Sequence, residues 1–152
     1  MEEINFDKLE AAITQPRHRP SKQARLVLAE RPEPFVAPAL RYSNVPETRP
    51  FAAEVVFVKA SAAVGKSTMA RYLSANQKVP LLDLSEVPVS TGSLKSLVSD
   101  LSGEGDPVKT FHAGELPIII DALDEGRLLS SETGFDSFLQ TTGEFLLQDR
   151  SV

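Results

Sequence analysis

Three apolar runs, each followed by a stretch with helical spacing, limit what this chain can fold into. They are "AEVVFVKA" at 53–60, "VPLLDLS" at 79–85 and "LPIIIDALDE" at 116–125. Runs that are apolar throughout, not alternating, read as strands buried on both faces. The helical stretches are "KSTMARYLSAN", "GSLKSLVSDLSG" and "TGFDSFLQTTGEFLLQD". In the first, Met69 and Leu73 stand four apart with Ala70 beside them. In the second, Ser93 is the expected N-cap and Gly103 follows the end. In the third, Phe135, Phe138, Leu139, Phe145, Leu146 and Leu147 form the apolar set. Strands alternating with helices predict an α/β fold with a mainly parallel sheet and right-handed crossovers.

The first fifty residues follow another pattern. Ile4, Leu9 and Ile13 predict a short amphipathic helix over 3–14. "SKQARLVLAE" predicts a second, with Ser21 as N-cap. Pro32, Pro34, Pro38, Pro46 and Pro50 then exclude long helix. Residues 1–50 read as a proline-rich leader lying across a domain at 51–152. The chain has 152 residues, enough for one domain with a core, and a formal net charge of -5. That charge argues against a dedicated nucleic-acid binder. With no cysteine, disulfides and thiolate metal sites are excluded. The acidic start has no apolar signal-peptide core and no run is long enough to span a membrane, which fits a cytoplasmic protein.

The loop "ASAAVGKST" joins the first strand to the first of these helices. Ala60, Ser61, Ala62, Ala63, Val64, Gly65, Lys66, Ser67 and Thr68 are the candidate nucleotide-binding residues. Successive backbone N–H groups at a helix N-terminus cradle phosphate. Gly65 allows close approach, Lys66 reaches the β- and γ-phosphates, and the Ser67 hydroxyl ligates Mg²⁺. Thr68 is expected to cap the loop. Ala60 replaces the first glycine of the pattern G-x-x-x-x-G-K-[ST]; alanine serves there if its φ stays negative.

The run "IIIDALDE" ends in Asp121, at the carboxyl edge where ligands of open α/β sheets bind. A carboxylate there holds Mg²⁺ directly or through water. Asp124 and Glu125 follow and are placed to orient or deprotonate an attacking water.

The two motifs together resemble a P-loop NTPase, and more narrowly the NACHT-like branch of the STAND ATPases. In that branch a small residue follows the metal-binding Asp, and an acidic residue stands three positions after it. Asp121, Ala122 and Asp124 match, with Glu125 adjacent, and "AAVGKSTMARYL" is similar to the branch's phosphate loop. The resemblance covers roughly 54–147. It implies the three-layer P-loop fold, incomplete at its C-terminus before the sensor strand that would lie between the loop strand and the acidic strand. It implies Mg²⁺ as cofactor and ATP, with GTP as the alternative, as ligand. It also implies γ-phosphoryl transfer to water, self-association through the nucleotide domain, and a signalling or defence switch as context. The alternative is a non-catalytic module that holds nucleotide as a regulatory ligand. A small-molecule kinase is disfavoured, because after Lys66 the arginines are only Arg71, Arg127 and Arg150.

Other residues read as structural. His18 belongs to a solvated basic stretch. His112 lacks partners at metal-ligand spacing. Arg127 is expected in a surface ion pair with Asp124 or Glu125. Phe35 and Tyr42 read as core before adenine-stacking, and Asp83 as a cap of the turn after the second strand.

Overall fold

The computed structural model describes residues 3–4, 6–13, 19–20, 26–27, 31–41, 58–61, 63–103, 105–113 and 115–147. The first half carries β1 (Glu3–Ile4), α1 (Phe6–Ala12), β2 (Arg19–Pro20), β3 (Leu26–Val27), β4 (Leu40–Arg41) and α2 (Lys66–Gln77). The second carries β5 (Leu81–Asp83), α3 (Ser93–Ser99), β6 (Leu101–Ser102), α4 (Pro107–His112), β7 (Ile119–Asp121), α5 (Leu123–Leu129) and α6 (Glu132–Leu147).

The architecture is mixed α/β around a parallel pair. β5 and β7 run parallel, with Leu81 opposite Ile119, Leu82 opposite Ile120 and Asp83 opposite Asp121. β3 joins the other side of β5 antiparallel, Leu26 opposite Leu82. Two further antiparallel ladders, β1 with β4 and β2 with β6, tie the leader to itself and to the segment after α3.

Side chains alternate across a strand, so the parallel pair has two distinct faces. Leu82 belongs to the larger core, with Leu94, Leu97 and Val98 of α3 and Phe135, Phe138 and Phe145 of α6; Ile118 and Ile120 pack against it. Ile119 turns the other way, toward Met69 and Leu73 of α2 and Phe6 and Leu9 of α1. Helices thus cover both faces, which is why these strands are apolar throughout. Among the described residues no helix is long and apolar enough to cross a membrane.

Several expectations are corrected. Leu26 and Val27 lie in a strand, not in the helix expected over 21–30; pairing with the buried β5 outweighs the weak helical pattern. The rest of that segment lies outside the described residues, as do 53–57 of the expected first strand. The remainder of that strand, Val58 to Ala60, is exposed and belongs to no strand. Ser93 is the first helical residue, not the cap: the N-cap is Gly92, at φ 73°, and the Ser93 hydroxyl accepts from Ser90 N–H at 3.0 Å. The chain turns at Asp100, and Leu101 and Ser102 enter β6, so the helix stops short of Gly103.

Two short helices have no counterpart among the sequence expectations. α4 has a legible start: Asp106 accepts from Val108 N–H at 2.9 Å, and Pro107 occupies the first turn, where a missing N–H costs nothing. α5 depends on close packing. A Cβ on Gly126 would lie 2.8 Å from Leu84 Cβ, and Leu84 is fully buried. Gly126→Ala should therefore destabilise the protein by a net 1–2 kcal/mol or so, overpacking outweighing the gain in helix propensity. Urea unfolding checks this, and an unchanged or raised midpoint would mean that α5 does not seat on Leu84.

Candidate functional site

The phosphate-loop candidates sit where an extended segment turns into α2. The turn uses left-handed backbone at Ala63 (φ 60°) and Gly65 (φ 89°). Gly65 is the N-cap of α2, in left-handed backbone. Ala62 lies outside the described residues. Ala60 is not among the residues with positive φ, the condition under which alanine can replace glycine there. Ala60, Ser61, Ala63, Val64, Gly65, Ser67 and Thr68 are exposed. The ammonium of Lys66 folds back over the loop, donating to the carbonyls of Ala60 at 2.9 Å and Ser61 at 3.1 Å. An exposed cation resting on two carbonyls can exchange them for a stronger anionic acceptor.

Asp121 closes β7 at its carboxyl end, half-buried, on the same face as Ile119. That face is the one α2 covers. The carbonyl of Asp121 accepts from Leu84 N–H at 3.1 Å, tying the ends of β7 and β5 together. Ala122 then adopts φ 58°, a strained conformation for a residue with a side chain, and α5 begins at once. Asp124 and Glu125 therefore occupy the first turn of α5, both exposed.

The electrostatics link these groups. A hydrogen bond with Glu125 holds the Asp124 carboxyl below its ordinary value; its own backbone N–H and the charge of Lys66 act the same way. Glu125 is pushed up, first by that same bond and then by the negative charges of Asp124 and Asp121. The pair therefore splits, with Asp124 the more acidic carboxyl and Glu125 the less acidic one. Lys66, Asp121, Asp124 and Glu125 share one electrostatic neighbourhood, although Lys66 and Asp121 are 55 residues apart in the sequence.

Ser67 and Asp121 fit Mg²⁺ by the chemistry of their donors, a hydroxyl and a carboxylate, both hard oxygen ligands. Among the described residues no three His, Cys, Asp or Glu side chains converge to form a cage. Mg²⁺ sites that rely on phosphate and water for their remaining ligands do not need one.

The remaining candidates divide. The ring of Phe35 stacks on Tyr72 at 3.7 Å, and the Arg31 guanidinium lies 5.3 Å from the Tyr72 ring centre. These three line an open hollow of about 500 Å³ with Pro32, Glu33 and Pro34. His112 is half-buried and packs edge-on to Phe145 at 4.6 Å. The Arg127 guanidinium lies 6.0 Å from the Phe135 ring centre; the ion pair expected with Asp124 or Glu125 is not seen. Asp83 does cap its turn, accepting from Ser85 N–H at 2.9 Å, and also faces Arg71 at 3.7 Å. Sequence reasoning missed that role for Arg71, which no local pattern signals. His18 and Tyr42 lie outside the described residues.

Comparison with family models, with curated proteins and with solved structures finds no match.

Proposed function

We propose that this chain is the nucleotide-binding part of a Mg²⁺-dependent NTPase module resembling the STAND and NACHT-like switches, with ATP favoured over GTP. The carrying observation is the Lys66 ammonium folded on its own loop, in the same electrostatic neighbourhood as the strand-end Asp121 and the Asp124–Glu125 pair. Also in support, β7 pairs parallel with β5 and α2 packs on their shared face. In this reading residues 51–152 form the first part of a P-loop domain with a three-layer plan. Residues 1–50 are its leader, whose Phe6 and Leu9 pack on Met69 and Leu73.

The chemistry follows from the residues. Lys66 leaves the Ala60 and Ser61 carbonyls and pairs with the β- and γ-phosphates, while the N–H groups of the loop and of the first turn of α2 take the remaining oxygens. Ser67 and Asp121 hold Mg²⁺, which supplies charge neutralisation across the phosphate oxygens when bound. Asp124, the more acidic of the two carboxyls, is the group placed to orient a water for attack. Glu125, beside it in the first turn of α5, supports it. Self-association through this domain and a cytoplasmic signalling or defence setting are part of the same proposal, by resemblance alone.

One observation favours the non-catalytic alternative. Asp124 and Glu125 each shift chiefly through the other, so the two carboxyls act mainly on each other. Calorimetric titration with ATP and ADP in millimolar Mg²⁺ tests nucleotide binding, and phosphate release separates the two readings. Saturable binding of both nucleotides is expected, with slow release of phosphate from ATP. Binding without release would select the regulatory module. A folded chain that binds neither nucleotide would refute both readings.

A further inference from the structure

Asp83 and Asp121 end neighbouring parallel strands as register partners. The two-residue period places both carboxylates on the Ile119 face, under α2. Adjacent strands run about 4.8 Å apart, so two acidic side chains stand side by side at this edge. Asp83 is already engaged. Its Oδ1 accepts from Ser85 N–H at 2.9 Å, and its Oδ2 lies 3.7 Å from Arg71 Nη2. Arg71 stands four residues after Ser67 on α2, so both lie on one side of that helix, a turn apart. Ser67, Arg71, Asp83 and Asp121 therefore form a connected path: a helix turn, an ion pair, then a strand register.

An ion pair this exposed adds little stability. Its direction is the informative part. Met69 and Leu73 hold α2 against the sheet, but apolar contact is non-directional and tolerates sliding. A guanidinium facing a carboxylate that is itself fixed by a backbone N–H sets where along the strand end the helix sits.

We propose that Arg71 and Asp83 are positioning residues that hold Ser67 in register with Asp121, and so set how strongly Mg²⁺ tightens nucleotide binding. The proposal rests on the nucleotide reading above. Arg71 also neutralises the second carboxylate, leaving Asp121 as the one that meets the cation.

The test compares ATP dissociation constants measured with Mg²⁺ and with EDTA, for the unmutated chain and for Arg71→Met, Asp83→Asn and Arg71→Lys. The ratio of the two constants is the readout. Arg71→Met and Asp83→Asn should each cut the Mg²⁺-dependent tightening about tenfold, the scale of second-layer effects on metal affinity. Their Mg²⁺-free constants should stay within about twofold of the unmutated chain's, since neither residue contacts phosphate in this reading. Arg71→Lys, which keeps the charge, should retain most of the tightening. An unchanged ratio in the first two variants would overturn the positioning role, as would equal weakening with and without Mg²⁺. Absence of ATP binding by the unmutated chain would instead overturn the nucleotide reading, and this inference with it.

Discussion

If the proposed nucleotide site is correct, Lys66→Ala is expected to lower the affinity for Mg²⁺–ATP by about 100-fold and to leave the melting temperature unchanged. Two charge-assisted hydrogen bonds to phosphate, at about 1.5–3 kcal/mol each, account for a loss of about 3 kcal/mol. The stability half of the expectation comes from the structure. Lys66 bonds only exposed loop carbonyls, and α2 is held by the buried Met69, Ala70, Leu73 and Ser74 further along. Removing the ammonium thus deletes, in the proposed reading, a ligand contact and no core contact. Calorimetric titration and thermal unfolding of the same preparation check both halves. Equal affinity in the variant would rule out the loop as a phosphate cradle. A lower melting temperature would show that Lys66 also braces the loop.

Phe138→Ala costs about 3–5 kcal/mol, the range for deleting a buried aromatic ring. Phe138 is 1% exposed and belongs to the cluster with Leu82, Leu84, Val98 and Leu116, its ring 6.3 Å from that of Phe135. With Phe135 and Phe145 it seats α6 in that core. Against a total stability of about 5–15 kcal/mol, the loss is severe, and a fall in melting temperature of roughly 10 °C is expected. Denaturant titration gives the value directly. A loss near 1 kcal/mol would mean that α6 is not docked as described.

Much of the candidate site was legible along the chain, because its signals are local. The Gly65–Lys66–Ser67 helix opening, and an Asp closing an apolar run, depend on neighbours a few residues away. β5 and β7 fall within the segments that the apolar spacing marks, and α2 and α6 match theirs to within one residue at an end. α4 carries its own signal in Asp106–Pro107, a capping Asp followed by a proline in the first turn. Leu26 and Val27 misled because a two-residue strand has too few positions to show a period, and its partner lies more than fifty residues on. α5 was hidden for a different reason. A glycine lowers helix propensity, yet Gly126 is what lets this helix approach Leu84.

Residue order by itself determined the α/β alternation, the apolar strands and the chemistry available at each end. The tertiary structure alone decided that Asp83 and Asp121 share a face, that Arg71 reaches the first of them, and that the charges of Lys66 and Asp121 both bear on the Asp124–Glu125 pair. Spacing along a chain encodes which way a side chain points relative to its neighbours. Which strand lies alongside, and in what register, is set by long-range packing of the two cores, and no short stretch of sequence contains it.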